Sequence, residues 1–193
     1  MPDQPPALGA VEYAALRATV RERGTLRLVV IALTFVSWGG LVLFATAIGT
    51  SPGLAVVPLV ALAAGFEVVF AAHKGVERIG RYLQVRYETP PPGSPGWPAW
   101  ETMAMDLGRQ APGLGSAPLA WPLFLIAAAI NAVTPWLQAT EGLGQWSGAV
   151  LGLEALAHVA FAARVLGARA FAASQRERDL VAISAWLPSR SDR

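Results

Sequence analysis

Five polar side chains stand inside stretches that are otherwise apolar: Glu67, His73, Asn131, Glu154 and His158. Ionisable groups in such surroundings are costly, and each is a candidate for function. Glu154 and His158 are four residues apart and share a helix face, whereas Glu67 and His73 are six apart and do not. Counted from the turns that join the apolar runs, Glu67 falls level with His158, and Asn131 level with Glu154 about one helical turn away. The spacing therefore predicts an intramembrane polar cluster of two layers: Glu67, Asn131, Glu154 and His158.

Three chemistries are open to such a cluster. Mutual hydrogen bonding that fixes helix register is the reading the pattern favours, because buried polar groups in helix bundles often serve that purpose. A proton or cation path through Glu67 and Glu154, with exchange at His158, would need a wet cavity with more polar lining than this chain offers. An axial ligand role for His158 is the third. Haem held between helices commonly takes two facing ligands, and His73 lies too near the end of its run to serve as the second, so a haem or a chlorophyll-type pigment needing one ligand stays open as cofactor. No HExxH, GxSxG, GxxxxGK[ST] or strand-linked GxGxxG occurs, and with no cysteine there is no thiol nucleophile or thiolate metal site. The expectation is a protein that is not an enzyme and binds no metal.

The elements that must position these residues are helices in a membrane. Of the 193 residues, 54% are hydrophobic and only 15% charged, more apolar than one soluble core requires. A net charge of +2, with basic and acidic residues interleaved, gives no ground for a nucleic-acid partner. Residues 8–23 carry apolar groups at helical spacing with Arg17, Arg21 and Arg23 between them, which predicts a basic amphipathic helix at the headgroups. A first span is expected over 26–48. Its Ala45-Thr46-Ala47 end imitates a signal-peptidase site, but the run is too long for a signal core and the segment ahead too long for its basic leader. Pro52-Gly53 suits the centre of a type II turn, so a second helix should follow closely, spanning from 54 and running on as a charged extension to 87. Lys74, Arg78, Arg81 and Arg86 on that extension form a candidate contact for anionic lipid headgroups.

Residues 89–117 form a Pro/Gly-rich linker carrying a short interfacial helix at 98–108. A third span is expected over 118–137, broken at its ends by Pro122 and Pro135, and a fourth helix over 146–173. Gly144, Gly148 and Gly152 recur at intervals of four, the spacing that lets helix backbones approach closely in lipid. Ser174 with Glu177 reads as a capping box opening a C-terminal amphipathic helix at 175–187. Gly65, Glu67 and Gly80 realign with Gly152, Glu154 and Gly167 at one offset, as a parallel repeat of the two hairpins would.

The expected fold is therefore all-α and integral to a membrane: one membrane domain of four transmembrane helices in two hairpins, with cytoplasmic amphipathic helices. Lysine and arginine are confined to the N-terminal segment, the central connection and the region from Arg164 onward, which places both termini in the cytoplasm. Arginine outnumbers lysine, of which Lys74 is the sole example, and alanine and glycine abound, a composition associated with GC-rich bacteria and hence with a bacterial inner membrane. With no reactive motif and little chain outside the spans, the expected function is a non-catalytic accessory subunit of a larger membrane complex. Its expected partners are membrane lipids and other integral membrane subunits. The alternatives are a small transporter or channel using Glu67 and Glu154, or a pigment- or haem-binding subunit using His158.

Overall fold

The structure is a computed structural model describing residues 8–48, 53–88, 103, 120–138 and 147–186. It is all-helical, with four helices and no strand among the described residues. Helix α1 is Leu8–Ile48, α2 is Val56–Leu83 and continues as a π-helical turn over Gln84–Glu88, α3 is Trp121–Gln138, and α4 is Ser147–Trp186. Three of them, α1, α2 and α4, are long and apolar enough to cross a membrane, while α3 offers a shorter apolar stretch, Trp121–Thr134.

Two boundaries expected from the sequence are absent. The amphipathic helix of 8–23 and the span of 26–48 are one continuous α1, since Gly24 and Thr25 weaken a helix without breaking it. Likewise Ser174 opens no new helix. It lies within α4, where its Oγ accepts from Arg178 Nη2 at 2.9 Å. Helix α3 also runs past Pro135 to Gln138, because a proline in the last turn removes only one intrahelical bond. At the α1–α2 turn Gly53 has φ +99°, the left-handed value that the second central position of a type II turn demands. The expected linker helix of 98–108 and Gly144 lie outside the described residues, Met103 apart.

The chain divides into two compact units. One contains residues 27–71 and 117–171, the other 1–26, 72–116 and 172–193.

The first unit is the apolar one, and its core is aromatic. Phe66 and Phe124 are fully buried and meet edge-on at 5.2 Å between ring centroids. Phe161 of α4 meets Phe66 edge-on at 6.1 Å, and Phe35 of α1 touches Phe124 at 5.2 Å. Each such pair contributes about 0.5–1.5 kcal/mol beyond simple burial, so one cluster binds all four helices. Helix α2 is the central one: 39% of its most apolar window is buried, against 6% for α1. Helix α1 approaches α2 closely at Gly65, where a Cβ would collide with the side chain of Thr34. Thr34 is itself buried and held by a 2.7 Å bond from Oγ1 to the Val30 carbonyl.

The second unit is polar and held by side-chain bonds. Tyr82 and Tyr87 both donate to the Glu12 carboxylate, the first at 2.7 Å, and Tyr87 also meets Tyr13 edge-on at 5.5 Å. Arg17 pairs with Glu88 at 3.2 Å. On the other side Gln175, buried in α4, donates to the Lys74 carbonyl at 3.1 Å and to Asp179 at 2.9 Å. The segment read as lying along headgroups is thus tied to the end of α2.

Two outcomes are expected from this packing. Gly65→Ala should destabilise the folded protein by about 1–3 kcal/mol through overpacking against Thr34, whereas Gly148→Ala and Gly152→Ala, which meet open space, should leave the thermal midpoint in detergent unchanged or slightly raised. The two tyrosine hydroxyls, Tyr87 first and Tyr82 second, hold the Glu12 carboxyl below its ordinary range, and their bonds to Glu12 hold both phenols above theirs. A lowered carboxyl stabilises above its unfolded value and loses that contribution as pH falls through the folded one. A raised phenol stabilises below its unfolded value and loses it as pH rises through the folded one. Hydrogen-exchange protection of residues 9–24 should therefore hold between about pH 5 and 9 and fall on either side, and Glu12→Gln should remove the acid-side fall.

Candidate functional site

Of the four residues expected to cluster, the structure brings three together. Asn131 is fully buried on α3, and its side-chain nitrogen lies 2.7 Å from the carbonyl oxygen of Ala55 and 2.9 Å from His158 Nε2. An oxygen cannot sit that close to a carbonyl oxygen without repulsion, so the atom is the amide nitrogen and both of its hydrogens are donated. His158 Nε2 then accepts. Its other nitrogen, Nδ1, lies 2.7 Å from the Glu154 carbonyl oxygen and donates to it. His158 is therefore held as the neutral tautomer carrying its hydrogen on Nδ1, with both ring nitrogens engaged inside the chain.

Helix geometry explains the contact. His158 and Glu154 are one turn apart on the buried face of α4, which also carries Leu151, Phe161 and Val165. Ala55 lies in the turn before α2, and its carbonyl also receives the Leu59 amide at 3.4 Å. One amide thus links the start of α2 to α3 and α4. Glu154 contributes its backbone carbonyl to this site; the residue is 5% exposed, and its Oε1 finds no hydrogen-bond partner among the described residues.

Glu67 does not join them. It lies half-exposed on α2 and forms a two-pronged ion pair with Arg164 of α4, each prong 2.8 Å long. The Arg164 guanidinium also covers the Phe70 ring at 4.7 Å. Arg164, read from the sequence as part of the chain's exit from a membrane, is the partner sequence reasoning missed. An arginine within an apolar run on a helix beside a run carrying one glutamate was the available signal. The realigned positions also differ in kind: Glu67 is exposed and Glu154 buried, while Gly65 meets Thr34 and Gly152 meets nothing. A repeat of the two hairpins draws no support from them.

His158 could hold an iron or magnesium of a haem or pigment only by giving up the Asn131 bond, so the residues present do not fit that cofactor. Among the described residues no group of three or more His, Asp or Glu is arranged to hold a metal ion.

The four residues expected to hold a lipid headgroup diverge as well. Arg81 is buried and paired with Glu77 one turn away. Arg78 is exposed and lies 3.8 Å from Asp179. Those two residues line a cavity of about 490 Å³ with Tyr82, Ala182, Ile183 and Trp186. Lys74 and Arg86 lie half-buried. Gly148 and Gly152 are exposed, and no neighbour stands where a Cβ would project. Glu12, Tyr82, Tyr87 and Gln175 gave no signal beyond helical spacing.

No family model, curated protein or solved structure matches the chain.

Removing the Asn131 amide leaves the Ala55 carbonyl and His158 Nε2 short of their donor, and each lost buried bond costs about 1–3 kcal/mol. Asn131→Leu should accordingly lower the thermal midpoint, and haem added to the wild-type protein should give an absorption spectrum that His158→Ala does not alter.

Proposed function

We propose that the chain is a four-span bacterial inner-membrane protein with both termini in the cytoplasm, acting as a non-catalytic accessory subunit of a larger membrane assembly. The observation that carries this reading is the use of His158: both nitrogens of the ring that would serve a cofactor or a proton relay are spent on holding α2, α3 and α4 together. Glu67 is likewise committed, to Arg164. The polar groups in the apolar unit behave as struts. Helix α1, with 6% of its most apolar window buried, packs through the face of Thr34 and Phe35 and turns Leu28, Leu33, Val36, Leu43 and Phe44 outward, toward lipid and neighbouring subunits. Helix α3, at 18 residues, reaches about 27 Å at 1.5 Å per residue, close to the ~30 Å of a hydrocarbon core, which supports the fourth span. The basic residues at the helix ends away from the two short turns support the orientation.

One observation favours a second reading, a proton or cation path. The buried Glu154 carboxylate has an oxygen without a partner among the described residues, and such a group within a membrane is by default a candidate for transport.

Purification of the native protein in mild detergent, followed by reconstitution, separates the two. An accessory subunit co-purifies with other membrane proteins in fixed ratio and supports no flux in vesicles. A transporter is stable alone and supports a proton or cation flux that Glu154→Gln abolishes.

A further inference from the structure

The Glu67–Arg164 pair is half-exposed in a place where exposure does not mean water. The side chains retain 50% and 42% of their accessible surface. They stand on the apolar stretches of α2 and α4, amid exposed Val60, Val68, Leu156, Val159 and Leu166. An ion pair on a wet surface is hydrated and contributes little. On the same surface in lipid, the outward halves of both charges, which have no further hydrogen-bonding partner among the described residues, would lack the water that hydrates them, which is costly.

The residues nearest the pair are small. One turn before and after Glu67 on the exposed side are Ala64 and Ala71, and one turn before and after Arg164 are Ala160 and Gly167. All four are exposed, and a Cβ at Gly167 would meet nothing. A neighbouring backbone can therefore come close to the charges.

We infer that this face is the interface between two copies of the chain, related by a two-fold axis along the membrane normal. The inference rests on the apolar unit lying in the bilayer. The occupant must bring both signs of charge at one depth. A lipid phosphate brings one sign only. A second copy brings both by construction, because rotation about the membrane normal preserves depth and turns Glu67 of one copy toward Arg164 of the other. The two pairs then close into a ring of four alternating charges, with alanine and glycine allowing the helices to approach.

Because the chain has no cysteine, single thiols introduced into the full-length protein report directly. In cell membranes, oxidation of co-expressed Ala64→Cys and Ala160→Cys chains, whose thiols face each other across the two-fold axis, should yield a species of twice the 20.3 kDa chain mass, well above the yield from Val36→Cys on α1. The decisive arm exchanges the charges, Glu67→Arg with Arg164→Glu, which preserves the pair within each chain. Exchanged chains should cross-link with one another as wild-type chains do. Mixed with wild-type chains they should form about tenfold fewer mixed pairs, since like charges then face each other. Mixed pairs forming as readily as like pairs, yields no higher than at Val36→Cys, or cross-linking only to a different protein would each overturn the interface. Release of the chain from membranes by alkaline carbonate would instead overturn the bilayer placement on which the interface rests.

Discussion

The carboxamide of Asn131 is the connection on which the apolar unit depends. Hydrophobic contact alone leaves helices free to slide and turn against each other, and the aromatic cluster around Phe66 tolerates some of that freedom. A side chain whose two hydrogens must reach an oxygen in the turn before α2 and a nitrogen on α4 does not. The tautomer of His158, the depth of α3 and the start of α2 are all set by the same few ångströms. Asn131 is fully buried, so the bond cannot be exchanged for one to solvent and its geometry is enforced.

The helical fold was legible in the sequence because apolar periodicity and length alone identify long membrane-type helices, and Gly53 announced the left-handed turn that the structure contains. Boundaries were less legible. Gly24 and Ser174 are residues that can end or begin helices, but nothing in their local chemistry compels a break, and tertiary contacts on either side carried α1 and α4 straight through them. Counted depth set Asn131 level with Glu154 and His158 level with Glu67, so the bond between Asn131 and His158 crosses the two expected layers. The separation of Glu67 from Glu154 was not legible, because depth says nothing about which way around a helix a residue looks. Glycine spacing misled for a related reason: Gly148 and Gly152 have the interval of a packing face, but Gly65 is the glycine a neighbouring helix needs, and only the position of Thr34 reveals it.

The two carboxylates of the apolar unit illustrate how environment sorts identical chemistry. Glu67 has a guanidinium partner and an open side; Glu154 has burial and one oxygen without a hydrogen-bond partner among the described residues. The same residue type balances a charge at one position and is buried at the other, and no property of the glutamate itself distinguishes them.

The π-helical turn at Gln84–Glu88 has a consequence of a different kind. Residues five apart on an α-helix point about 140° away from each other, whereas a turn closed by i→i+5 bonds sets them nearly one above the other. Tyr82 and Tyr87 are five apart, and both reach Glu12. The wider turn works as a one-residue spacer that brings two phenols onto one carboxylate. The attachment of α1 to α2 in the polar unit thus depends on the number of residues in that turn as much as on their identity. Closing that turn to α-helical i→i+4 bonds, with no residue lost, would swing Tyr87 off its partner while every side chain of the clasp is retained.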